Sequence, residues 1–362
     1  MIYIHVPFCK SRCHYCDFFS SVSGGLRQRY VGALCGEVRT RWDEIAASGS
    51  DTVYLGGGTP SQLTGDQLLR IFSVLPDVCD GAEVTIEVNP DDVDRGYVEA
   101  LRKTPVNRVS VGVQSLDDGV LRGINRRHTA SDAVRAVGLL RESGYTNISV
   151  DLMYGLPGQT MEKWKRDVEG VLTLDVPHVS AYSLQWEEGT VLAAMRDRGD
   201  VEEVDEDTSL EMYRYLCDRM DMCGMVHYEI SNFCKPGMHS RHNSGYWKEC
   251  PYVGLGPGAH SYDGHRVRRS NNADLAAYCD GHVSFEEEYL TDEELYDELV
   301  MKRLRTSAGI RIDEVPAEYA GYMLRMAEGH VRSGRLVLSD GCLRLSREGI
   351  FVSNDIMSDL ML

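Results

Sequence analysis

The sequence has no apolar run long enough to cross a bilayer. Its first residues, Met1 to Phe8, carry no basic lead and no apolar segment of signal-peptide length. Basic residues are also scarce, because 38 Lys and Arg stand against 56 Asp and Glu, a formal net charge of −18. Such a surface repels phosphate backbones. We therefore expect a cytoplasmic protein with no transmembrane segment and no nucleic-acid partner.

The number of cysteines is odd. There are 11, and an odd number is awkward for a disulfide framework. In a reducing compartment, free thiols serve metal or redox chemistry. Three of them fall within the first 16 residues, whereas the others are scattered and are predicted to be small buried hydrophobes.

The first half of the chain alternates short β-branched runs with amphipathic segments. Tyr30, Leu34, Val38 and Trp42 recur every four residues and are predicted to share one helix face. This alternation predicts an α/β fold with parallel strands and right-handed crossovers, either a partial (β/α)6 barrel or an open doubly wound sheet. The predicted strands are Tyr3–Pro7, Thr52–Leu55, Glu83–Val88, Arg108–Val113, Asn147–Met153 and His178–Leu184.

Three segments are predicted along the chain: a barrel over 1–190, a loop-rich segment over 191–285 and a C-terminal helical domain over 286–362. Asp197–Asp207 is an acidic run that we expect at the surface, and 226–262 has the composition of a long ordered loop region. Near the C-terminus, the runs on either side of Asp340 predict a hairpin, and Ser346 is placed to cap a last helix. Helices plus a hairpin suggest a winged-helix-like domain, but residues 286–362 hold 9 Lys/Arg and 16 Asp/Glu, the wrong balance for DNA.

Cys9, Cys13 and Cys16 form a compact array directly after the first predicted strand. Thiolates are the ligands of Fe–S clusters, and three of them leave one iron of a 4Fe–4S cluster open to a small chelator. The amino and carboxylate groups of S-adenosylmethionine (SAM) suit that position. A zinc site completed by His14 or His5 is the rival interpretation, and no metal at all is a third.

Polar and glycine-rich groups follow each predicted strand. Gly56–Thr59 follows the second strand and lacks the Lys-Ser/Thr of a phosphate-binding loop, so its backbone is free to approach the amino-acid end of SAM. Parallel sheets bring such groups together at the carboxyl ends of their strands. Any one of these side chains alone is more typical of a buried hydrogen-bonded group or a helix cap, and only their shared location favours a role in binding. Further candidates for holding SAM are Glu87, Gln114, Arg126 and Asp151.

A His-Asn-Ser-Gly-Tyr-Trp segment covers residues 242–247. His242 is able to ligate haem iron, and Tyr246 and Trp247 are able to pack against a macrocycle. A single His with aromatic neighbours is more often structural, and His239 and His260 are rival ligands.

Taken together, these motifs resemble the oxygen-independent coproporphyrinogen III oxidase-like radical SAM family. The resemblance covers essentially the whole chain through YIHVPFCKSRCHYCDF, GGGTPS, IEVNP, RVSVGVQSL, NRRH, DLMYGLPGQT, HVSAYSL, YEISNF, HNSGYW and YVGLGPGAHSY. It implies a partial (β/α)6 barrel with a C-terminal helical domain, and a 4Fe–4S cluster on Cys9, Cys13 and Cys16.

The same resemblance implies roles for the surrounding polar groups. Tyr3, Gly57 and Glu87 match positions that hold the cluster-bound SAM, and Tyr15 matches a further aromatic contact. The positions that line a second SAM site in the porphyrinogen-oxidising relatives are matched by Gly58, Thr59, Gln114, Arg126 and Asp151.

Two departures separate this chain from the oxidases. Phe18 stands where the oxidases have a fourth cysteine, and only two residues precede Tyr3, where they have a long segment. Both departures favour the haem-chaperone branch of the family, whose H-N-x-x-Y-W motif is matched by His242, Asn243, Tyr246 and Trp247. The expected function is therefore to bind haem and pass it to an unidentified acceptor protein, with an electron donor for the cluster. Coproporphyrinogen III decarboxylation to protoporphyrinogen IX is the alternative.

Overall fold

The computed structural model describes residues 1–49, 51–76 and 79–362. Its strands, in chain order, are β1 Ile2–Val6, β2 Thr52–Gly57, β3 Glu83–Val88, β4 Arg108–Gln114, β5 Asn147–Tyr154, β6 His178–Ser183, β7 Val226–Glu229, β8 Asn232–Cys234, β9 Val253–Leu255, β10 His260–Tyr262, β11 Val267–Asn271, β12 Phe285–Tyr289, β13 Ile310–Arg311, β14 Leu336–Ser339 and β15 Cys342–Leu345.

Helices connect these strands and cover the outside of the sheet. The α-helices are α1 Arg27–Thr40, α2 Trp42–Ser48, α3 Gly65–Phe72, α4 Arg95–Leu101, α5 Asp118–Gly123, α6 Ala130–Glu142, α7 Met161–Thr173, α8 Val191–Asp197, α9 Glu206–Met222, α10 Arg241–Trp247, α11 Leu275–Cys279, α12 Asp292–Leu304, α13 Ala317–Arg332, α14 Arg347–Ile350 and α15 Ser353–Leu360. Short 3-10 turns lie at Gly24–Leu26, Pro60–Gln62, Pro90–Asp92 and Ile312–Glu314.

The main sheet has nine strands in the order β7-β8-β6-β5-β4-β3-β2-β1-β9. Strands β1 to β6 pair in parallel, each with the next, and β9 adds in parallel beside β1. On the other side, β8 pairs antiparallel with β6. Within the described chain the two outermost strands each have one neighbour, so the sheet is an open barrel. The six predicted strands and the partial (β/α)6 barrel are confirmed.

Local sequence signals fix where the helices begin. The Thr64 side chain accepts from the Gln67 amide while the Gln67 side chain accepts from the Thr64 amide, a capping box that starts α3. Most of the predicted face of α1 is buried, namely Tyr30, Leu34 and Val38. The prediction for Trp42 was wrong, because α1 ends at Thr40 and Trp42 starts a new helix with 43% of its surface exposed.

The segment 226–262 was expected to be a long loop region, and this expectation was wrong. It contributes β7, β8 and β9 to the main sheet, the helix α10, and β10 of a separate antiparallel sheet ordered β10-β11-β12. Strands of three or four residues are too short to show a period, which is why the sequence pattern did not reveal them. The acidic run Asp197–Asp207 lies at the surface as predicted, and Asp205 near its end caps α9 by accepting from the Thr208 amide.

The C-terminal helices α12, α13 and α15 pack around the hairpin of β14 and β15, and β13 makes a third strand. Asp340 and Gly341 form the turn with positive φ angles of 52° and 70°. Ser346 does cap a helix, but that helix is α14, and α15 follows it. No helix in the described ranges is both long enough and apolar enough to cross a membrane.

Candidate functional site

A cavity of about 570 Å³ opens at the carboxyl ends of the parallel strands, and we call it the first cavity. Its volume lies within the roughly 300–1,000 Å³ typical of small-molecule sites. Tyr3 lies behind its wall, where its ring stacks on Tyr54 at a centroid distance of 6.2 Å. The sequence-predicted residues that line it are Cys9, Cys13, Tyr15, Cys16, Gly57, Gly58, Thr59, Glu87, Gln114, Arg126 and Asp151.

The cysteine loop after β1 is held in place by backbone bonds to distant parts of the chain. The Cys9 amide donates to the Ser21 carbonyl at 3.0 Å, and the His14 amide donates to the Ile124 carbonyl at 3.1 Å. The His14 carbonyl in turn accepts from the Leu192 amide at 2.8 Å. Because these contacts involve segments far apart in sequence, the loop is positioned by the whole barrel.

The three thiols sit half-buried at the edge of the first cavity. Cys9 Sγ lies 3.4 Å from Thr59 Oγ1, and Arg126 Nη1 donates to Cys13 Sγ at 3.5 Å. Burial raises the pKa of the Cys16 thiol to about 11. Three soft sulfur donors beside a cationic Arg suit an iron–sulfur cluster with its net negative charge.

Of the two histidines named for the zinc alternative, His5 is engaged at both ring nitrogens and His14 at one. His5 uses both ring nitrogens, Nδ1 with the Tyr3 hydroxyl at 3.2 Å and Nε2 with the Phe19 carbonyl at 2.8 Å. His14 Nδ1 lies 3.2 Å from the Gly123 carbonyl. In the described ranges, no three His, Cys, Asp or Glu side chains converge on one metal ion. A cluster would distribute the three thiols over separate irons, whereas zinc would need its ligands on one ion.

Gly57 ends β2 at a point where no other residue fits. Its φ is +107°, and a Cβ there would lie 2.6 Å from the His5 ring. The His5 ring in turn holds the Phe19 carbonyl just beyond the cysteines. Glycine therefore lets the strand end pack directly on the histidine that anchors the cysteine loop, while its backbone faces the cavity.

Two half-buried carboxylates face the first cavity from β3 and β5, the strands on either side of β4. Glu87 accepts from the Tyr54 hydroxyl at 2.7 Å, and Asp151 accepts from the Ser110 hydroxyl at 3.0 Å. Burial raises the pKa of Glu87 to about 7, and it also raises the pKa of Asp151. Carboxylates that lack a fully paired cation are suited to bind an ammonium or a ribose hydroxyl.

Arg126 and Gln114 close the wall near Cys13. Gln114 has a φ of 66° at a β-bulge in β4, a conformation that a non-glycine residue rarely adopts and that aims it into the cavity. Arg126 donates to the Gly112 carbonyl, while its buried Nε has no partner in the described part of the chain. Burial opposes the charge on Arg126, but the neighbouring Tyr15 and Cys13 leave its pKa above the usual value.

Sequence reasoning missed several lining residues within the strands themselves. Arg108, Ser110 and Gly112 alternate along β4 and all face the first cavity, as do Ser180 and Tyr182 on β6. The sequence did contain a signal for these residues, namely polar residues at every second position of an otherwise apolar strand, but it was not used. β4 is buried on both faces except at Gly112, and β6 is buried from His178 to Ala181, so these polar side chains lie inside the barrel and not on its outer surface.

The structure separates the four haem candidates on α10. His242 is 1% exposed, its ring nitrogens lie 2.7 Å from Thr52 Oγ1 and 3.0 Å from the Tyr246 hydroxyl, and burial lowers its pKa to about 3. Asn243 lines the first cavity. Tyr246 and Trp247 line a second cavity of about 350 Å³ on the other side of the helix. The four residues of the motif therefore do not line one common site.

Comparison with known proteins identifies the relatives of this chain. The model of the Radical SAM superfamily matches residues 3–170, and the HemN C-terminal domain matches residues 290–352. The heme chaperone HemW of Bacillus subtilis is 33% identical over 98% of this chain and 97% of its own length. The heme chaperone HemW of Lactococcus lactis is 36% identical over 86% of this chain and 83% of its own length.

The fold has a close structural counterpart as well. The coproporphyrinogen III oxidase of Escherichia coli, HemN, described as a radical SAM enzyme, superposes with a TM-score of 0.85 over 99% of this chain and 89% of its own. The two sequences are 21% identical, so this likeness establishes the fold. The parallel barrel, the cysteine loop at its open end and the end-to-end similarity to the Bacillus protein lead to one assignment: this chain belongs to the HemW family, within the radical SAM superfamily.

Proposed function

We propose that this protein is a haem chaperone that binds a 4Fe–4S cluster and SAM in the first cavity, binds haem, and transfers the haem to an acceptor protein. The observation that carries this proposal is the similarity to a heme chaperone over 98% of the chain. The acceptor and the electron donor are left open by the sequence.

The residues of the first cavity are suited to these groups. Cys9, Cys13 and Cys16 would hold the cluster, whose reduced form supplies one-electron chemistry on SAM. Glu87 would take the ammonium of the amino-acid end of SAM, because a half-buried carboxylate complements a cation, and the glycine backbone at Gly57 would let that end approach closely.

The remaining lining residues would serve the rest of the SAM molecule. Asp151 would accept ribose hydroxyls, and Arg126 would balance the negative charge of the thiolates.

Coproporphyrinogen oxidation is the second candidate function. It is favoured by the match of residues 290–352 to the HemN C-terminal domain, beside a radical SAM match over residues 3–170. Phe18 argues against it, because this exposed phenylalanine stands where the oxidases carry a further cysteine. Anaerobic incubation with a reduced cluster, SAM and coproporphyrinogen III would yield protoporphyrinogen IX if the protein were an oxidase, and we expect no product.

The test of the chaperone function is an anaerobic haem titration of cluster-reconstituted protein, followed by Soret absorbance. We expect saturable one-to-one binding, and transfer of the bound haem to an apo-haemoprotein acceptor. Binding no better than that of an unrelated acidic protein would refute the proposal.

The cluster is tested separately by replacing Cys9, Cys13 or Cys16 with Ala. Each replacement should abolish the broad brown absorbance and the acid-labile sulfide, whereas Cys79→Ala, an exposed cysteine remote in sequence, should leave both unchanged. Zinc in place of iron and sulfide in the purified protein would support the structural-metal alternative.

A further inference from the structure

The second cavity lies between three parts of the fold: α10, the antiparallel sheet of β10 to β12, and helix α12 of the C-terminal domain. Its volume of about 350 Å³ is within the range of small-molecule sites. The residues that line it are Tyr246, Trp247, Glu249, Cys250, Tyr252, His260, Tyr262, Arg268, Ser270, Glu288 and Lys302.

The walls of this cavity are rich in aromatic rings. Tyr246 and Tyr252 meet edge to face at a centroid distance of 4.8 Å, and Tyr262 and Trp247 add two more rings to the lining. The buried indole Nε1 of Trp247 has no hydrogen-bond partner among the residues described. A flat, largely apolar ligand would pack against these aromatic walls. A polar substituent of such a ligand would accept the hydrogen bond that the Trp247 indole is able to donate.

His260, unlike His242, has a ring nitrogen that is free to bind a metal ion. Its side chain is exposed at the cavity, and its Nδ1 lies 2.9 Å from the Ser270 hydroxyl on the neighbouring strand. That contact fixes the ring and leaves Nε2 with no partner in the part of the chain that the structure describes. A ring held at one nitrogen and open at the other is the usual arrangement of a metal-ligating histidine.

We propose that the second cavity is the haem site, with His260 Nε2 as the axial ligand of the iron. His242 is then a positioning residue that fixes α10 through Thr52 and Tyr246, because its own ring nitrogens are engaged inside the barrel. This inference rests on the proposed haem-binding function and assigns it a place and a ligand.

The charges around the cavity agree with a ligand that carries carboxylates. Arg268 and Lys302 both belong to the lining, and both now pair with Glu298, Lys302 at 2.6 Å. The haem propionates would share these two cations with Glu298. Glu288 and Glu249 also line the cavity, and each has a cationic partner, Arg268 at 3.8 Å and Arg303 at 3.0 Å.

The test uses full-length, cluster-reconstituted protein titrated with haemin and examined by Soret absorbance and EPR. His260→Ala should lose the histidine-type ligand signature and weaken haem binding at least tenfold. Added imidazole should restore the signature by occupying the vacated position. His265→Ala is the matched control, because His265 is an exposed histidine in the turn between β10 and β11.

The outcomes separate this inference from the function on which it rests. A histidine signature that survives in His260→Ala but is lost in His242→Ala would overturn the axial assignment while leaving haem binding intact. A thiolate-type spectrum that disappears in Cys250→Ala would also overturn it, because Cys250 lines the same cavity. Failure of the wild type to bind haem would refute the proposed function itself. Circular dichroism of each variant confirms that it is folded, and the exposed position of His260 makes that the expected result.

Discussion

Replacing Gly57 with Ala should damage the cysteine loop without touching a cysteine. The new Cβ would lie 2.6 Å from the His5 ring, and the residue would be held at a φ of +107°. The disfavoured backbone conformation costs about 1–3 kcal/mol, and forcing a methyl group into a packed site costs a further 1–3 kcal/mol or so. His5 would be displaced from the Phe19 carbonyl, now 2.8 Å away, and the segment after Cys16 would lose its anchor.

Gly144→Ala is the matched control for this experiment. Gly144 also has a positive φ, of 92°, but a Cβ there would meet nothing within 4 Å, and the residue lies in the turn between α6 and β5. The control therefore carries the backbone cost without the clash. Urea unfolding followed by circular dichroism should show a larger loss of stability for Gly57→Ala. Iron content after reconstitution should fall in that variant alone. Equal stabilities and full iron content in both variants would refute the reasoning.

Two further predictions follow from buried groups. His242→Ala should lower the free energy of unfolding by about 2–4 kcal/mol, because it opens a cavity and leaves the Thr52 and Tyr246 hydroxyls unpaired. His265→Ala, at an exposed site, should change it by less than about 0.5 kcal/mol in the same denaturation assay. Glu87 has a folded-state pKa raised to about 7, so its protonated form favours folding at low pH and that contribution is lost as pH rises from about 4.5 through 7. Glu87→Gln should therefore gain stability relative to the ligand-free wild type as pH rises, by up to about 3 kcal/mol. A constant difference between pH 5 and pH 8 would contradict this.

The barrel was predictable because its strands are long enough to carry a pattern. Runs such as Arg108–Gln114 are buried on both faces and bounded by turn residues, and each is followed by a helix with its own cap. The order of these units along the chain implies parallel pairing. The same reasoning failed after residue 190, because β8 and β9 have three residues each and take their place in the sheet from tertiary pairing alone.

The first cavity was also largely predictable, because residues at the ends of parallel strands must meet at one edge of the sheet. Cys9 follows β1, Gly57 ends β2, Glu87 is one residue from the end of β3 and Asp151 lies within β5, and all four line the same cavity. Most side chains from strand interiors were missed. The alternation of Arg108, Ser110 and Gly112 along β4 places them on one face, but the strand's own sequence does not say which face lines the cavity. That information depends on the register of neighbouring strands.

The motif on α10 shows why a run of adjacent letters is a poor guide to a shared role. His242 and Asn243 are about 100° apart around the helix axis, and Tyr246 and Trp247 lie one turn, about 6 Å, further along it. The helix therefore delivers Asn243 to the first cavity, His242 to a buried bond with Thr52, and Trp247 to the second cavity. Substitutions within the motif should accordingly produce different defects: loss of fold stability for His242, altered SAM binding for Asn243, and altered haem binding for Trp247. A single shared defect in all three variants would mean that α10 acts only as a unit whose integrity every residue supports.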